Sequence, residues 1–286
     1  MQSRATAALL INEVIQQQTP LTMVLETKLP ACDMKERAFI QDLCFGVFRW
    51  YPQLEYCLNK MLNKPLKAKD SDIKMLILVG LYQLSYQRTP LHAAVSATVE
   101  SCNDLKKNWA KNMVNALLRR YIREKTDLNL SEDPEAKSAH PNWLLSQFQN
   151  DWPDDWQQIV DANLIQAPLT LRVNLDQISR DDYLKKLTTQ SIKAQKTEFS
   201  KAGINLDKAT DVRKLPGYDN GEFSVQDQAA QLAAQLMDLK PGQRVLDACA
   251  APGGKTSHCL ELQPNLAEMV ALDSNSNRLD RLQQNL

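Results

Sequence analysis

Asp247-Ala248-Cys249-Ala250-Ala251-Pro252-Gly253-Gly254-Lys255-Thr256 is the stretch that decides the fold around it. Immediately before it, Arg244-Val245-Leu246-Asp247 reads as a short strand. Ala250 to Gly254 then form a tight loop of small residues, and Lys255 to Leu262 a helix. Met269 to Leu272 is a second strand and Asn275 to Leu286 a second helix, which makes a βαβα unit of an open α/β sheet. A strand feeding a glycine-bearing loop that opens a helix presents backbone N–H groups and the positive helix end, which suit an anionic or strongly polar ligand. Asp273 ends the second strand, 20 positions after Gly253, where a carboxylate can accept hydrogen bonds from ribose hydroxyls. The stretch predicts an adenosine-containing ligand.

Two familiar nucleotide loops are disfavoured. A dinucleotide fingerprint needs G-x-G-x-x-G, whereas residues 249–254 read Cys-Ala-Ala-Pro-Gly-Gly. A P-loop needs glycine five residues before Gly254, and Cys249 stands there, so Gly254-Lys255-Thr256 does not complete that motif. The plain alternative is a strand-to-helix turn with no ligand, and Asp273 in register weighs against it.

Upstream, Pro216-Gly217 and Asn220-Gly221 mark turns, and Ser224 to Met237 reads as a helix opened by Ser224 and Asp227. Pro168-Leu169-Thr170-Leu171-Arg172-Val173-Asn174 alternates like a strand, Arg180 to Leu187 looks helical, and Thr197 to Arg213 is short and mixed. His140 to Leu145 opens an aromatic and apolar helix, and Trp152 to Ile165 supplies another. Residues 127–140, rich in Asp, Glu, Ser and Ala around Pro134, have the composition of a surface linker. From Ser3 to about Lys125 apolar residues recur at three- and four-residue steps, as in Ala7, Leu10, Ile11, Val14 and in Phe39, Leu43, Val47. The run Ile73 to Tyr86 is apolar on most of its circumference and therefore belongs at the centre of a helical domain of about five to seven helices without strands.

Composition narrows the class. Hydrophobic residues at 43% and charged residues at 24% exclude a disordered chain. No apolar run approaches the ~18 residues that span a bilayer, and no signal core follows Met1, so a cytoplasmic location away from membranes is expected. The six cysteines stand singly and there are only three histidines, which disfavours a disulfide framework and a metal site alike. Net charge is zero, yet residues 1–128 carry 18 basic against 12 acidic side chains. That half is expected to face something acidic, with solvated helix faces as the alternative.

Asp247 to Thr256 resembles the cofactor loop of the Sun family of RNA cytosine-5 methyltransferases. By that resemblance Cys249, Ala250, Ala251, Pro252, Gly253, Gly254 and Lys255 wrap S-adenosylmethionine, and Asp273 holds its ribose. Gly221 to Ala230 is similar to that family's approach to the site, and Leu171-Arg172-Val173-Asn174 to its small RNA-binding subdomain. Gly46-Val47-Phe48-Arg49, Gly80-Leu81-Tyr82-Gln83-Leu84, His92-Ala93-Ala94-Val95 and Val114-Asn115-Ala116-Leu117-Leu118-Arg119 are similar to the helical NusB domain, an RNA-binding module, although Ala116 stands where that pattern usually has glycine. The resemblance implies three parts. Residues 1–128 are an all-α NusB-like domain; 129–221 are a linker and a small α+β RNA-binding subdomain; 222–286 are the first part of an α/β Rossmann-like methyltransferase domain. It further implies a monomeric enzyme that methylates C5 of a cytosine in 16S ribosomal RNA without a metal. A non-catalytic NusB-like RNA-binding or assembly module and cytosine-5 methylation of transfer RNA are the competing readings.

Lys60, Lys64, Lys67, Lys69 and Lys74 form one basic run, and Arg119, Arg120, Arg123 and Lys125 another. The NusB likeness favours RNA contact over a solvated face, with Lys67, Lys69, Arg119 and Arg120 as candidates beside Arg172 and Asn174 on the strand. His92 reads as capping or packing, His258 as surface or supporting shell, and Trp50, Trp109, Trp143, Trp152 and Trp156 as core or edge packing.

Methylation of cytosine C5 by this route needs a thiolate that adds at C6. In the resembling enzymes it comes, with a second cysteine, from Pro-Cys and Thr-Cys motifs on later strands. Neither dipeptide occurs here. Cys249 and Cys259 are therefore not assigned as nucleophiles, the nucleophile is expected beyond Leu286, and the chain alone is expected to be inactive and to hold the cofactor weakly.

Overall fold

The computed structural model describes residues 2–208 and 210–285. They divide into two compact units, Met1–Ile165 and Gln166–Leu286.

The first unit is helical. It runs α1 (Ser3–Gln17), α2 (Leu21–Lys28), α3 (Met34–Arg49), α4 (Tyr51–Met61), α5 (Ser71–Tyr86), α6 (Leu91–Asp104), α7 (Lys111–Glu124), α8 (Pro134–Ser138), α9 (Asn142–Asp151) and α10 (Trp156–Leu164), with no strand among the described residues. Helix α5 is the axis of the bundle: Ile73, Leu76, Ile77, Leu78, Val79 and Leu81 are all fully buried, and α1, α3, α4, α6 and α7 pack around it. Burial of each such side chain is worth about 1.5–3 kcal/mol, which outweighs the modest helix propensity of the β-branched residues among them. Gln83 is the polar exception. It is fully buried, accepts from Arg4 Nε at 3.0 Å and donates to Val79 O. Gly46 on α3 is where Tyr82 of α5 lies across the backbone, and a Cβ there would collide with the ring. That close approach accounts for the glycine in the Gly46-Val47-Phe48-Arg49 piece.

The stretch read as a linker is folded. Asn129 and Asp133 cap short turns with their side chains, α8 packs on α4, and the Tyr56 hydroxyl donates to Asn129 O at 3.0 Å. Its polar composition reflects capping as much as exposure. The second helix of the following pair is shorter than expected, since residues 153–155 turn before Trp156.

The second unit starts with a four-stranded antiparallel sheet in the order β2-β3-β1-β4, built from β1 (Leu169–Val173), β2 (Ala194–Lys196), β3 (Gly203–Leu206) and β4 (Phe223–Val225), with α11 (Arg180–Thr189) between β1 and β2. Leu171, Val173, Ile204, Leu206 and Phe223 meet Tyr183 and Leu187 of α11 in its core. Then follow α12 (Gln228–Leu236), β5 (Arg244–Asp247), α13 (Gly254–Leu262), β6 (Glu268–Ala271) and α14 (Ser276–Asn285), and β5 pairs parallel with β6 from Arg244↔Glu268 to Asp247↔Ala271. The single long helix expected from Ser224 is corrected: Ser224 lies in β4 opposite Arg172, and Asp227 alone is the N-cap, accepting from Ala229 and Ala230. Among the described residues no helix is long and apolar enough to cross a membrane.

Candidate functional site

The candidate site is the loop from Ala248 to Gly253 between β5 and α13. It is held from three sides. Asp247 Oδ1 accepts from Cys249 N at 3.3 Å and its Oδ2 from Thr256 Oγ1 at 2.8 Å, so the last residue of the strand clasps both ends of the loop. Ala250 N donates to Leu272 O at 2.8 Å, and Ala251 N to Asp273 Oδ2 at 3.1 Å. Arg278 Nη2 of α14 donates to Ala251 O at 3.0 Å. Gly253 has φ +102°, a conformation that disfavours any side chain, and a Cβ there would come within 3.3 Å of Leu282. No side chain caps the start of α13, which leaves the positive end of the helix facing the loop.

Asp273 is an ionised acceptor. The Asn275 N–H first, then the Ala251 N–H and the Arg278 charge, hold its carboxyl below the usual carboxylate range. Within the loop Ala250 and Ala251 are buried, while Cys249 and Pro252, and Lys255 just after it, are exposed. Cys259 on α13 is buried, and desolvation pushes its thiol up, the opposite of what a thiolate nucleophile needs. Among the described residues no group of His, Cys, Asp or Glu side chains is arranged to hold a metal ion.

Behind the loop stands a residue placed differently from expectation. Arg172 on β1, expected to contact RNA or lie on an exposed strand face, is 1% exposed. Its Nη1 donates to Gln226 Oε1 at 2.6 Å and to Gly254 O, its Nη2 to Ser257 Oγ at 3.0 Å and Glu261 Oε1 at 2.6 Å. RNA contact through this side chain is therefore corrected to an internal anchor of the cofactor-loop helix. The alternation Leu171-Arg172-Val173 assigned the faces of the strand properly; what it could not show is that α12 and α13 cover the second face as well. Burial pushes the guanidinium down and the Glu261 carboxyl up, each opposed by the charge of the other. Gln226, Ser257 and Glu261 are absent from the expected site; lying 31 and 4 residues apart in sequence, they acquire their shared partner through tertiary packing.

His258, expected at the surface or in a supporting shell, is 3% exposed, and its Nδ1 has no hydrogen-bond partner. Desolvation and then the Arg172 charge depress it to about 4, so it is neutral at pH 7. Asn174 is half-buried; its side chain donates to Gly221 O at 3.3 Å and accepts from Asp176 N, bracing the turn after β1. It borders an open cavity of about 670 Å³ that also includes Tyr218, Ser224, Pro252 and Gly254.

In the helical unit, Lys67, Lys69 and Arg119 are exposed. Arg120 is half-buried and paired, to Glu124 Oε2 at 2.6 Å and Met61 O at 2.9 Å. Lys60 and Lys74 of the basic run are paired with Glu132 and Glu55. Trp50 stacks on Tyr86 as packing, whereas Trp109 and Trp143 are 58% and 71% exposed, contrary to the core or edge placement expected of them.

A small-residue loop at the carboxyl end of one parallel strand, tied to a carboxylate at the end of the next, is the arrangement in which proteins of the open-sheet α/β class hold a nucleoside cofactor. Family models resolve this further. Residues 1–123 match the NusB family, 140–213 the RsmF/B-like methyltransferase ferredoxin-like domain, and 234–286 the 16S rRNA methyltransferase RsmB/F model. The chain is 45% identical over 288 residues to the probable ribosomal RNA small subunit methyltransferase B of Coxiella burnetii, covering 100% of this chain and 66% of that protein. It is 46% identical over 288 residues to ribosomal RNA small subunit methyltransferase B of Pseudomonas syringae pv. tomato, covering 100% and 64%. The crystal structure of PH0851 aligns with a TM-score of 0.73 at 15% identity, over 100% of this chain and 66% of that one, a likeness of fold alone. The chain belongs to the RsmB/F family of 16S rRNA methyltransferases, and it spans about two thirds of the length of the curated relatives it matches.

Proposed function

We propose that the chain is the RNA-recognising and cofactor-binding part of an S-adenosylmethionine-dependent methyltransferase that modifies C5 of a cytosine in 16S ribosomal RNA. The observation that carries this reading is the tie between the loop after β5 and Asp273 after β6, joined by the Asp273–Ala251 hydrogen bond. The residues present fit the cofactor. Asp273 is ionised and its carboxylate has acceptor capacity left for ribose hydroxyls, and the helix start at Gly254 favours the cofactor's carboxylate. When bound, S-adenosylmethionine supplies a methyl group on a sulfonium.

The names of the relatives support ribosomal RNA as substrate, and the NusB match supports RNA contact by the helical unit. The thiolate for the C6 addition is assigned to none of the six cysteines here, because none follows proline or threonine and Cys259 is held protonated by burial. The test is calorimetric titration of S-adenosylmethionine into this chain and into one extended by the relatives' remaining third, with methyl incorporation into 16S RNA read by mass spectrometry. Cofactor binding and C5 methylation by the extended chain are expected. RNA binding without cofactor affinity in either chain would replace this reading with a non-catalytic RNA-binding module.

A further inference from the structure

The helical unit carries an open groove of about 360 Å³ lined by Pro65, Leu66, Lys67, Lys69, Asp70 and Trp109. Its walls are two short turns, Ala68–Asp70 and Asn108–Ala110, clamped by one residue. Lys107 Nζ donates to Asp70 Oδ1 at 3.0 Å, to Asp72 Oδ1 at 2.6 Å and to Lys69 O at 2.7 Å. The single ammonium offsets one of the two carboxylate charges beside the groove. Lys67 and Lys69 remain exposed and in no ion pair among the described residues. Trp109, next to the clamp, leaves 58% of its surface in solvent.

A planar aromatic face on a fixed turn, two free ammonium groups beside it and an apolar floor of Pro65 and Leu66 match the chemistry of an unpaired nucleotide: a base to stack and phosphates to neutralise. A duplex keeps its base faces inside the stack, and an acidic peptide would use the lysines but not the plane. We propose that this groove is a clamp for single-stranded RNA, with one base stacked on Trp109 and the flanking phosphates held by Lys67 and Lys69. The clamp deepens, and rests on, the reading of the chain as an RNA-directed enzyme.

The test is fluorescence anisotropy of a short labelled single-stranded RNA of mixed sequence, titrated with this chain at several salt concentrations. Trp109→Ala is expected to weaken binding within the range of about 5- to 150-fold that loss of one stacked base gives, and Trp109→Phe to recover most of it. Lys67→Gln with Lys69→Gln is expected to lower the slope of log affinity against log salt by about 1.4, at about 0.7 per phosphate on a single strand. Circular dichroism and melting curves confirm that each variant is folded. Equal affinity of folded Trp109→Ala and the parent chain overturns the clamp. So does a polyglutamate peptide that binds through Trp109 more tightly than the RNA, which would assign the groove to a protein partner. Titration of S-adenosylmethionine into the same proteins reads the proposed function separately. Trp109-dependent RNA binding in a chain, extended or not, that takes no cofactor would leave the clamp standing and overturn only the enzyme.

Discussion

Asp273 Oδ2 accepts the backbone N–H of Ala251 at 3.1 Å, while its Oδ1 accepts that of Asn275 at 3.0 Å, so one carboxylate ties the loop after β5 to the turn after β6. Asp273→Asn keeps the shape and removes the charge. It is expected to weaken S-adenosylmethionine binding by roughly tenfold to a hundredfold, the range for a hydrogen bond to a charged group, as read by calorimetry on the extended chain. Unchanged affinity would remove Asp273 from the site.

Gly253 is expected to tolerate no side chain. With φ at +102° and Leu282 in the way, Gly253→Ala costs about 1–2 kcal/mol in backbone strain alone. The loop should shift and cofactor affinity fall by about tenfold or more. Gly242→Ala, whose φ is +79° but which has nothing within 4 Å, is the control: it is strained yet distant from the loop, and should lower stability without touching cofactor affinity.

His258 makes stability depend on pH. Its value lies near 6.5 when unfolded and falls to about 4 when folded, so its neutral form favours the fold fully above 6.5. Stability should fall by roughly 2–3 kcal/mol as pH drops from about 6.5 to 4, because the unfolded chain takes up the proton first. Urea midpoints across that window are expected to slope in the parent chain and to flatten in His258→Phe.

Arg172→Ala leaves the half-buried Glu261 without its partner and is expected to cost about 2–4 kcal/mol in denaturant unfolding, below the range for a fully buried pair. Arg172→Met with Glu261→Leu replaces both charges by apolar groups and should be far closer to the parent than Arg172→Ala. Equal damage from the two variants would mean that the ion pair is not what matters at this position.

In the helical unit, Gly46→Ala forces the Tyr82 ring away from α3 and is expected to destabilise by about 1–3 kcal/mol. The cofactor site should be unaffected when measured below the unfolding transition.

Much of this was readable from residues. The βαβα unit and its loop follow from period and glycine placement, and α5 from its apolar circumference. Three things were not. Ser224 lies in a strand because its partner is Arg172 across the sheet, a pairing 52 residues distant that no local propensity reports. Residues 127–140 read as a linker because Asn129 and Asp133 cap turns with the same polarity that exposed chain shows. Arg172 reads as outward because arginine usually faces water; α12 and α13 bury it among specific partners.

The anchoring of Arg172 also bears on how such a protein can be inherited. The ferredoxin-like and methyltransferase matches are separate in sequence, ending at 213 and beginning at 234. A recombination event between them would part a strand arginine from the glutamate and serine that it serves, and leave each half with an orphaned polar group to bury. The two modules are therefore exchangeable only as a pair, and a lineage that swapped one for a foreign copy would have to supply the matching guanidinium or carboxylate along with it.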